Sequence, residues 1–321
     1  MRTMRTMTTF KSFLNLFRWP NLIIIALSMS MILFFVVSPL LGISALSDGL
    51  NTIQFILLVI STILISIGGY IVNDIFDVNA DSINKPGKNL ITSTISEKTA
   101  YTLYWITTVS GVLLGTLLSY LINQINFGLI FLFSAGLLWY YSQKYQCQPL
   151  LGNIVISALS AISFGIVWLF EFYALSGNAE VFTNVQSSFP FVTRIITIYM
   201  GFAFMVSLLR EIIKDMEDYK GDNRFGCTTM PVKFGISTSK VVALVFTFIS
   251  LAAAIIVQYF FYNIGFLILF GYFFIIDILI VIIIVNIFRA ATKTDYTKLS
   301  TFIKLLMLAG ILSMVLIKFD L

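Results

Sequence analysis

Two groups of aspartates carry the clearest chemical signal in this sequence. Asp74, Asp77 and Asp81 recur as Asp215, Asp218 and Asp222, and each residue lies 141 positions after its counterpart (215 − 74, 218 − 77, 222 − 81). On a helix, positions i, i+3 and i+7 fall within about 60° of one another, so each triplet occupies a single face. Three carboxylates that close repel unless a cation sits among them. Carboxylate-only clusters suit hard ions, and Mg²⁺ in particular is held by one or two carboxylates completed by phosphate oxygens and water. Solvated charges at helix ends are the plainer alternative, but identical spacing at two places speaks against it. Two such clusters could grip a diphosphate from both sides through Mg²⁺.

The flanking cations fit that chemistry. Lys85, Lys88, Lys144, Arg210, Lys214 and Lys220 lie in or beside the same segments. A lysine offers a phosphate a point charge, and an arginine offers a planar fork. Each of them also fits the ordinary role of a basic residue at a membrane face. Histidine is absent, and Cys147 and Cys227 are the two cysteines, neither in a CxxC pair. Zinc, haem and imidazole acid–base chemistry are therefore not expected, nor is a disulfide between thiols on a reducing face.

The elements that must position these residues are membrane helices. Of the 321 residues 59% are hydrophobic and 11% are charged, with a mean hydropathy of +0.96, against roughly 25% charged residues in a soluble domain. Nine apolar runs are long enough to cross a hydrocarbon core of ~30 Å. They fall near 22–43, 52–73, 99–121, 126–142, 151–174, 191–213, 240–261, 264–288 and 301–318. None alternates with the period of a membrane β-barrel, so an all-α polytopic bundle around a central cavity is expected.

The first run is too long for a signal-peptide core and no small-residue cleavage site closes it, so it reads as a retained helix. Residues 8–18 set Phe10, Phe13, Leu14 and Phe17 against Lys11 and Arg18, the pattern of an interfacial segment within 1–20. With nine spans and the N-terminus inside, all 20 basic residues except Arg194 and Lys318 fall on the cytoplasmic side, as the positive-inside rule requires. That distribution accounts for the net charge of +5 without invoking nucleic acid. No Pro/Gly/Ser-rich linker divides the chain, so one domain over 1–321 is expected, with its charged connections 74–98 and 214–239 on the functional face.

At this point the sequence resembles the UbiA superfamily of intramembrane prenyltransferases. Asn73, Asp74, Asp77 and Asp81 match its NDxxDxxxD hallmark, followed by Asn84-Lys85-Pro86 and Lys88. Asp215, Asp218 and Asp222 match its second aspartate motif, and Tyr140 with Lys144 matches its YxxxK signature. The stretch from Gly226 to Gly235, with Thr228, Thr229 and Pro231, is similar to the family's segment after the second motif. Lys88-Asn89 departs from the Arg-Pro of many members.

The resemblance implies Mg²⁺ bridging the six aspartates and a prenyl diphosphate, ionisation of the allylic C–O bond, and attack by an acceptor nucleophile. It assigns catalysis to Asp74, Asp77, Asp215, Tyr140 and Lys144. Donor binding falls to Asn73, Lys85, Lys88, Arg210, Lys214 and Lys220, with the prenyl tail in the apolar interior. Tyr140, Trp139 and Phe76 are candidates to face the carbocation, although an aromatic in so apolar a chain more often packs. Within the family, residues 210–222 look most like the branch that prenylates geranylgeranylglyceryl phosphate. The Asn-Xaa-Arg-Asp and Tyr-Ala-Xaa-Xaa-Asp patterns of the branches that prenylate aromatic acids are missing there, which leaves such an acid as the alternative acceptor. From other classes, a secondary transporter, a scaffold or a terpene cyclase would also suit many helices and acidic groups, but transporter sites lie near the bilayer midplane on broken helices. Two further charges remain, Asp277 midway along the eighth span and Glu171 near the outer end of the fifth, and ionisable groups in lipid are site candidates by default.

Overall fold

The computed structural model describes residues 12–84, 90–91 and 94–321. Among these, nine helices are long and apolar enough to span a membrane. They are α1 (Trp19–Leu41), α2 (Thr52–Phe76), α3 (Glu97–Leu121), α4 (Ile125–Gln143), α5 (Leu151–Leu175), α6 (Phe189–Arg224), α7 (Ile236–Asn263), α8 (Leu267–Arg289) and α9 (Lys293–Asp320). The chain is an integral, multi-pass, all-α membrane protein; an isolated bridge between Ile91 and Ile95 is the one β feature among the described residues.

Local sequence sets the ends. Pro20 sits in the first turn of α1, where its missing N–H leaves no helical bond unmade. Gly42, with φ +66°, closes the same span in the left-handed conformation that glycine adopts without strain. Between them Ile32–Val37 widens into a π-helical turn. Thr292 and Asp295 form a reciprocal capping box at the start of α9. At its far end Asp320 accepts from the backbone N–H of Ile268 and Leu269, at 2.9 and 2.8 Å, which places a carboxylate at the positive end of α8.

The largest departure from the expected spans is α6, which runs to Arg224 rather than ending near 213. Hydropathy falls after Ile213, but Arg, Glu, Lys and Met are good helix formers whether or not lipid surrounds them. Its 36 residues make a rod of about 54 Å, well beyond a hydrocarbon core. The second aspartate triplet therefore lies on continuous helix, as its i, i+3, i+7 spacing anticipates.

The chain divides into two compact units, residues 1–27, 52–147 and 220–227 in the first and residues 28–51, 148–219 and 228–321 in the second. In the first, α2, α3 and α4 pack on one another. Small residues let the backbones approach: a Cβ on Gly68 would strike Thr108 Oγ1, and one on Gly111 would meet the Ser61 carbonyl at 3.0 Å. In the second unit, α7 packs on α8 and α8 on α9, while the π turn of α1 lies against α5 and α9. Polar clasps add to this packing, among them Trp168 Nε1 donating to Thr193 at 3.0 Å and the Tyr199 and Ser313 hydroxyls paired at 3.0 Å.

The cysteines correct an expectation. Cys147 and Cys227 are joined as a disulfide in the first unit, their Cα atoms 4.5 Å apart. Redox compartment is the ground for expecting free thiols, and it says nothing about proximity. The fold brings the middle of the α4–α5 connection onto the segment that follows α6.

Candidate active site

The first motif is built on the end of α2. Asp74 lies in its last turn, and Asp77 and Asp81 follow on the short helix Val78–Asn84 or just before it. Helical hydrogen bonds cross the break, Asp77 N–H to Asn73 O at 2.9 Å and Asp81 N–H to Asp77 O at 2.8 Å, so the single-face spacing survives it.

A side-chain network orients the leading residues. Asn73 Nδ2 donates to Asp77 Oδ2 at 2.9 Å and to Gln146 Oε1 at 2.6 Å. Gln146 Nε2 donates in turn to the other oxygen, Asp77 Oδ1, at 3.0 Å. Both carboxylate oxygens of Asp77 are thus held by amides. Asp74 Oδ1 accepts from Arg18 at 2.5 Å, and the same guanidinium reaches Asn73 Oδ1 at 3.3 Å. Burial alone would push the Arg18 guanidinium down, but Asp74 opposite it, with Tyr70 and Asp77 nearby, holds its pKa above the ordinary arginine value. It stays a cation at any accessible pH.

The second motif begins on α6 in the second unit. There Asn153, buried near the start of α5, donates to Asp215 Oδ2 at 2.9 Å. Asp218 is half-buried on the same helix, and Thr297 of α9 donates to its neighbour Glu217 at 2.9 Å. Arg210 pairs with the buried Glu211 at 2.6 Å, and Lys214 is half-buried.

Asp222 and the exposed Lys220 belong to the first unit, together with Asp74, Asp77 and Asp81. Between them, Gly221 donates its backbone N–H to Asn84 Oδ1 at 2.9 Å.

Tyr140 and Lys144 lie one helical turn apart at the exposed end of α4, where the Tyr140 ring stacks on Tyr145 with centroids 6.4 Å apart. Trp139 is edge-on to Phe76 at 5.7 Å and tilted against Tyr104 at 5.3 Å, so this pair belongs to a packed aromatic cluster. Lys85 and Lys88 lie outside the described residues, as does the Lys88-Asn89 departure.

Of the two intramembrane charges, Glu171 is fully buried and has an architectural partner. Its Oε2 accepts from the Leu50 N–H at 3.0 Å, and Gly49 lies so close that a Cβ there would strike the carboxylate. It anchors the connection between α1 and α2. Asp277 Oδ1 is buried with no hydrogen-bond partner among the described residues.

Arg18, Gln146 and Asn153 are partners of the motifs that sequence reasoning does not single out. Arg18 reads there as an interfacial charge. Asn153 does carry a signal, an amide inside an otherwise apolar span, and Gln146 stands two positions after Lys144 of the YxxxK signature.

A metal fits the donor set but not as an all-protein cage. Among the described residues no three acidic or thiol side chains gather closely enough to hold an ion by themselves. Hard oxygen donors in ones and twos are what Mg²⁺ takes when phosphate and water complete its shell.

Residues 32–308 match the UbiA prenyltransferase family. The chain is 33% identical over 246 residues to digeranylgeranylglyceryl phosphate synthase of Sulfurisphaera tokodaii, covering 77% of this chain and 81% of that one. It is 29% identical over 255 residues to the enzyme of the same name from Saccharolobus solfataricus, covering 79% and 80%. A solved structure of digeranylgeranylglyceryl phosphate synthase superposes with a TM-score of 0.63 at 25% identity, covering 98% of this chain and 100% of that one. A UbiA homologue from Archaeoglobus fulgidus, solved with GPP and Mg²⁺, shares the fold with a TM-score of 0.55 at 15% identity over 94% and 99% of the two chains.

Proposed function

Since this chain belongs to the UbiA prenyltransferase family, we propose that it transfers a geranylgeranyl-type chain from its diphosphate to a lipid-like glycerol phosphate ether, releasing diphosphate. The observation that carries this reading is the preparation of one aspartate in each motif. Asp77 and Asp215 are each oriented by a side-chain amide from another segment, Gln146 and Asn153. Carboxylates that ligate metals are commonly steadied in this way.

In the proposed reaction the aspartates of the motifs hold metal and diphosphate at the helix ends that the positive-inside rule assigns to the cytoplasm. Mg²⁺, when bound, supplies charge stabilisation to the departing diphosphate. The protein's own part is to hold those carboxylates in place. Lys144, Arg210, Lys214 and Lys220, with Lys85 and Lys88 of the α2–α3 connection, offset the remaining negative charge. Tyr140, exposed beside Lys144, is suited to facing the allylic cation through its ring. The apolar spans take the prenyl tail and keep water from the cation. A prenyl diphosphate, a lipid-like acceptor and the surrounding lipid are thus the partners.

Support for the acceptor comes from the relatives, since both enzymes compared above carry the digeranylgeranylglyceryl phosphate synthase name. The test offers purified protein geranylgeranyl diphosphate and Mg²⁺ with the glycerol phosphate ether, 4-hydroxybenzoate or dihydroxynaphthoate, and identifies products by mass. Prenylation of the ether is expected. Product from an aromatic acid alone would move the chain to quinone synthesis. No covalent product with any acceptor, but prenyl diphosphate crossing a vesicle membrane, would favour a transporter.

A further inference from the structure

Arg18 stands where the backbone is strained. Its φ of 52° lies in the left-handed region, which glycine or asparagine enters more cheaply than a residue with a long side chain. A turn into α1 could be made by glycine, so an arginine here calls for a reason in its side chain. That side chain touches one face of α2 at three positions. It lies 4.9 Å over the Tyr70 ring, 3.3 Å from Asn73 Oδ1 and 2.5 Å from Asp74 Oδ1. The Asp74 carboxylate has no other hydrogen-bond or ion-pair partner among the described residues. The pair is only part-exposed, at 29% for Arg18 and 20% for Asp74, so water does not screen it fully.

A guanidinium bound to Asp74 and a metal bound to the same carboxylate would repel each other at short range. We propose that Arg18 is a place-holding counter-ion: it compensates Asp74 while the metal is absent and releases that carboxylate when metal and prenyl diphosphate bind together. Its planar fork, once released, suits the donor's phosphate oxygens better than a lysine would. Binding is then coupled, because metal alone must displace Arg18 without compensation whereas the donor brings the negative charge that draws Arg18 away. This inference rests on the metal–diphosphate reading above.

The experiment titrates the purified full chain with Mn²⁺, read by electron paramagnetic resonance without donor, and separately measures kcat and KM for geranylgeranyl diphosphate. Arg18→Gln removes the charge and keeps the strained turn. It is expected to bind Mn²⁺ about tenfold tighter than wild type while KM for the donor rises. Arg18→Lys is expected to bind Mn²⁺ like wild type and still show a raised KM, since it keeps the charge and loses the fork. A merely structural Arg18 would give the opposite sign, because loosening Asp74 weakens metal binding. Unchanged or weaker Mn²⁺ binding by folded Arg18→Gln overturns the proposal. If Arg18→Gln does not fold, Arg18→Gly, which relieves the backbone, takes its place with the same expected and overturning results. Failure of the metal–diphosphate reading would look different: Mn²⁺ binding to wild type that no prenyl diphosphate strengthens.

Discussion

Asn84 and Gly221, 137 residues apart, are joined by a buried hydrogen bond in which the Gly221 backbone N–H donates to Asn84 Oδ1 at 2.9 Å. Asn84 closes the helix that carries Asp81, and Gly221 immediately precedes Asp222. The tails of the two aspartate motifs are thereby clasped to each other. The glycine is required, since a Cβ at 221 would fall on the Asn84 amide.

That clasp gives the first prediction. Gly221→Ala is expected to destabilise by about 1–3 kcal/mol through overpacking, and Asn84→Ala by about 1–2 kcal/mol through the lost hydrogen bond. In the double variant the added methyl group finds room where the amide has gone, so the combined loss is smaller than the sum. Thermal unfolding in detergent measures all three; strict additivity would show that the two residues do not meet.

The second prediction concerns the amides. Gln146→Ala and Asn153→Ala are each expected to lower activity by about 10- to 100-fold, the usual loss when a group orienting a metal ligand is removed. The required Mg²⁺ concentration should rise with it, while melting temperatures stay close to wild type. Gln146→Leu should behave as Gln146→Ala does. Full activity in both amide variants at low Mg²⁺ would remove them from the site.

Third, Asp74→Asn or Asp215→Asn is expected to abolish prenyl transfer in a protein that still folds, because a lost ligand withdraws charge stabilisation felt mainly in the transition state. Chelation with EDTA should stop wild-type turnover, and Mg²⁺ should restore it. Product formation by mass spectrometry and thermal unfolding are measured on the same preparations. Turnover near wild type in either variant, or in EDTA, contradicts the assignment.

The fourth prediction is chemical. With Cys147 and Cys227 joined, maleimide should label neither thiol in denatured, unreduced protein and both after reduction, a mass difference of two adducts. The positive-inside orientation and this bond pull against each other, since disulfides are rare on reducing faces. Labelling of both cysteines without reductant, in protein isolated under thiol-blocking conditions, would show that the pair is open in the cell.

The membrane fold is legible in the sequence because uninterrupted apolar runs have one physical solution in lipid. The aspartates are legible because spacing on a helix is written directly in sequence. Less is visible where hydropathy and helix propensity part company, as at Ile213–Arg224, which is helical beyond the apolar run. The partners of the aspartates are hidden for another reason. Arg18, Gln146 and Asn153 reach Asp74, Asp77 and Asp215 across 56, 69 and 62 residues, and no local pattern marks such a contact. For Cys147 and Cys227, 80 residues apart, sequence offers compartment but no geometry.

The widened turn at Ile32–Val37 has a bearing on how this span tolerates change in length. A π turn closes over i→i+5 bonds and so stores about one residue more than an α turn. Deleting one residue there would let the turn relax to ordinary α geometry, with the side chains on either side keeping their directions. The same deletion elsewhere in the span would turn everything beyond it by about 100°. Of all positions in α1, this short stretch is therefore where related chains can differ by a single residue without refacing the helix.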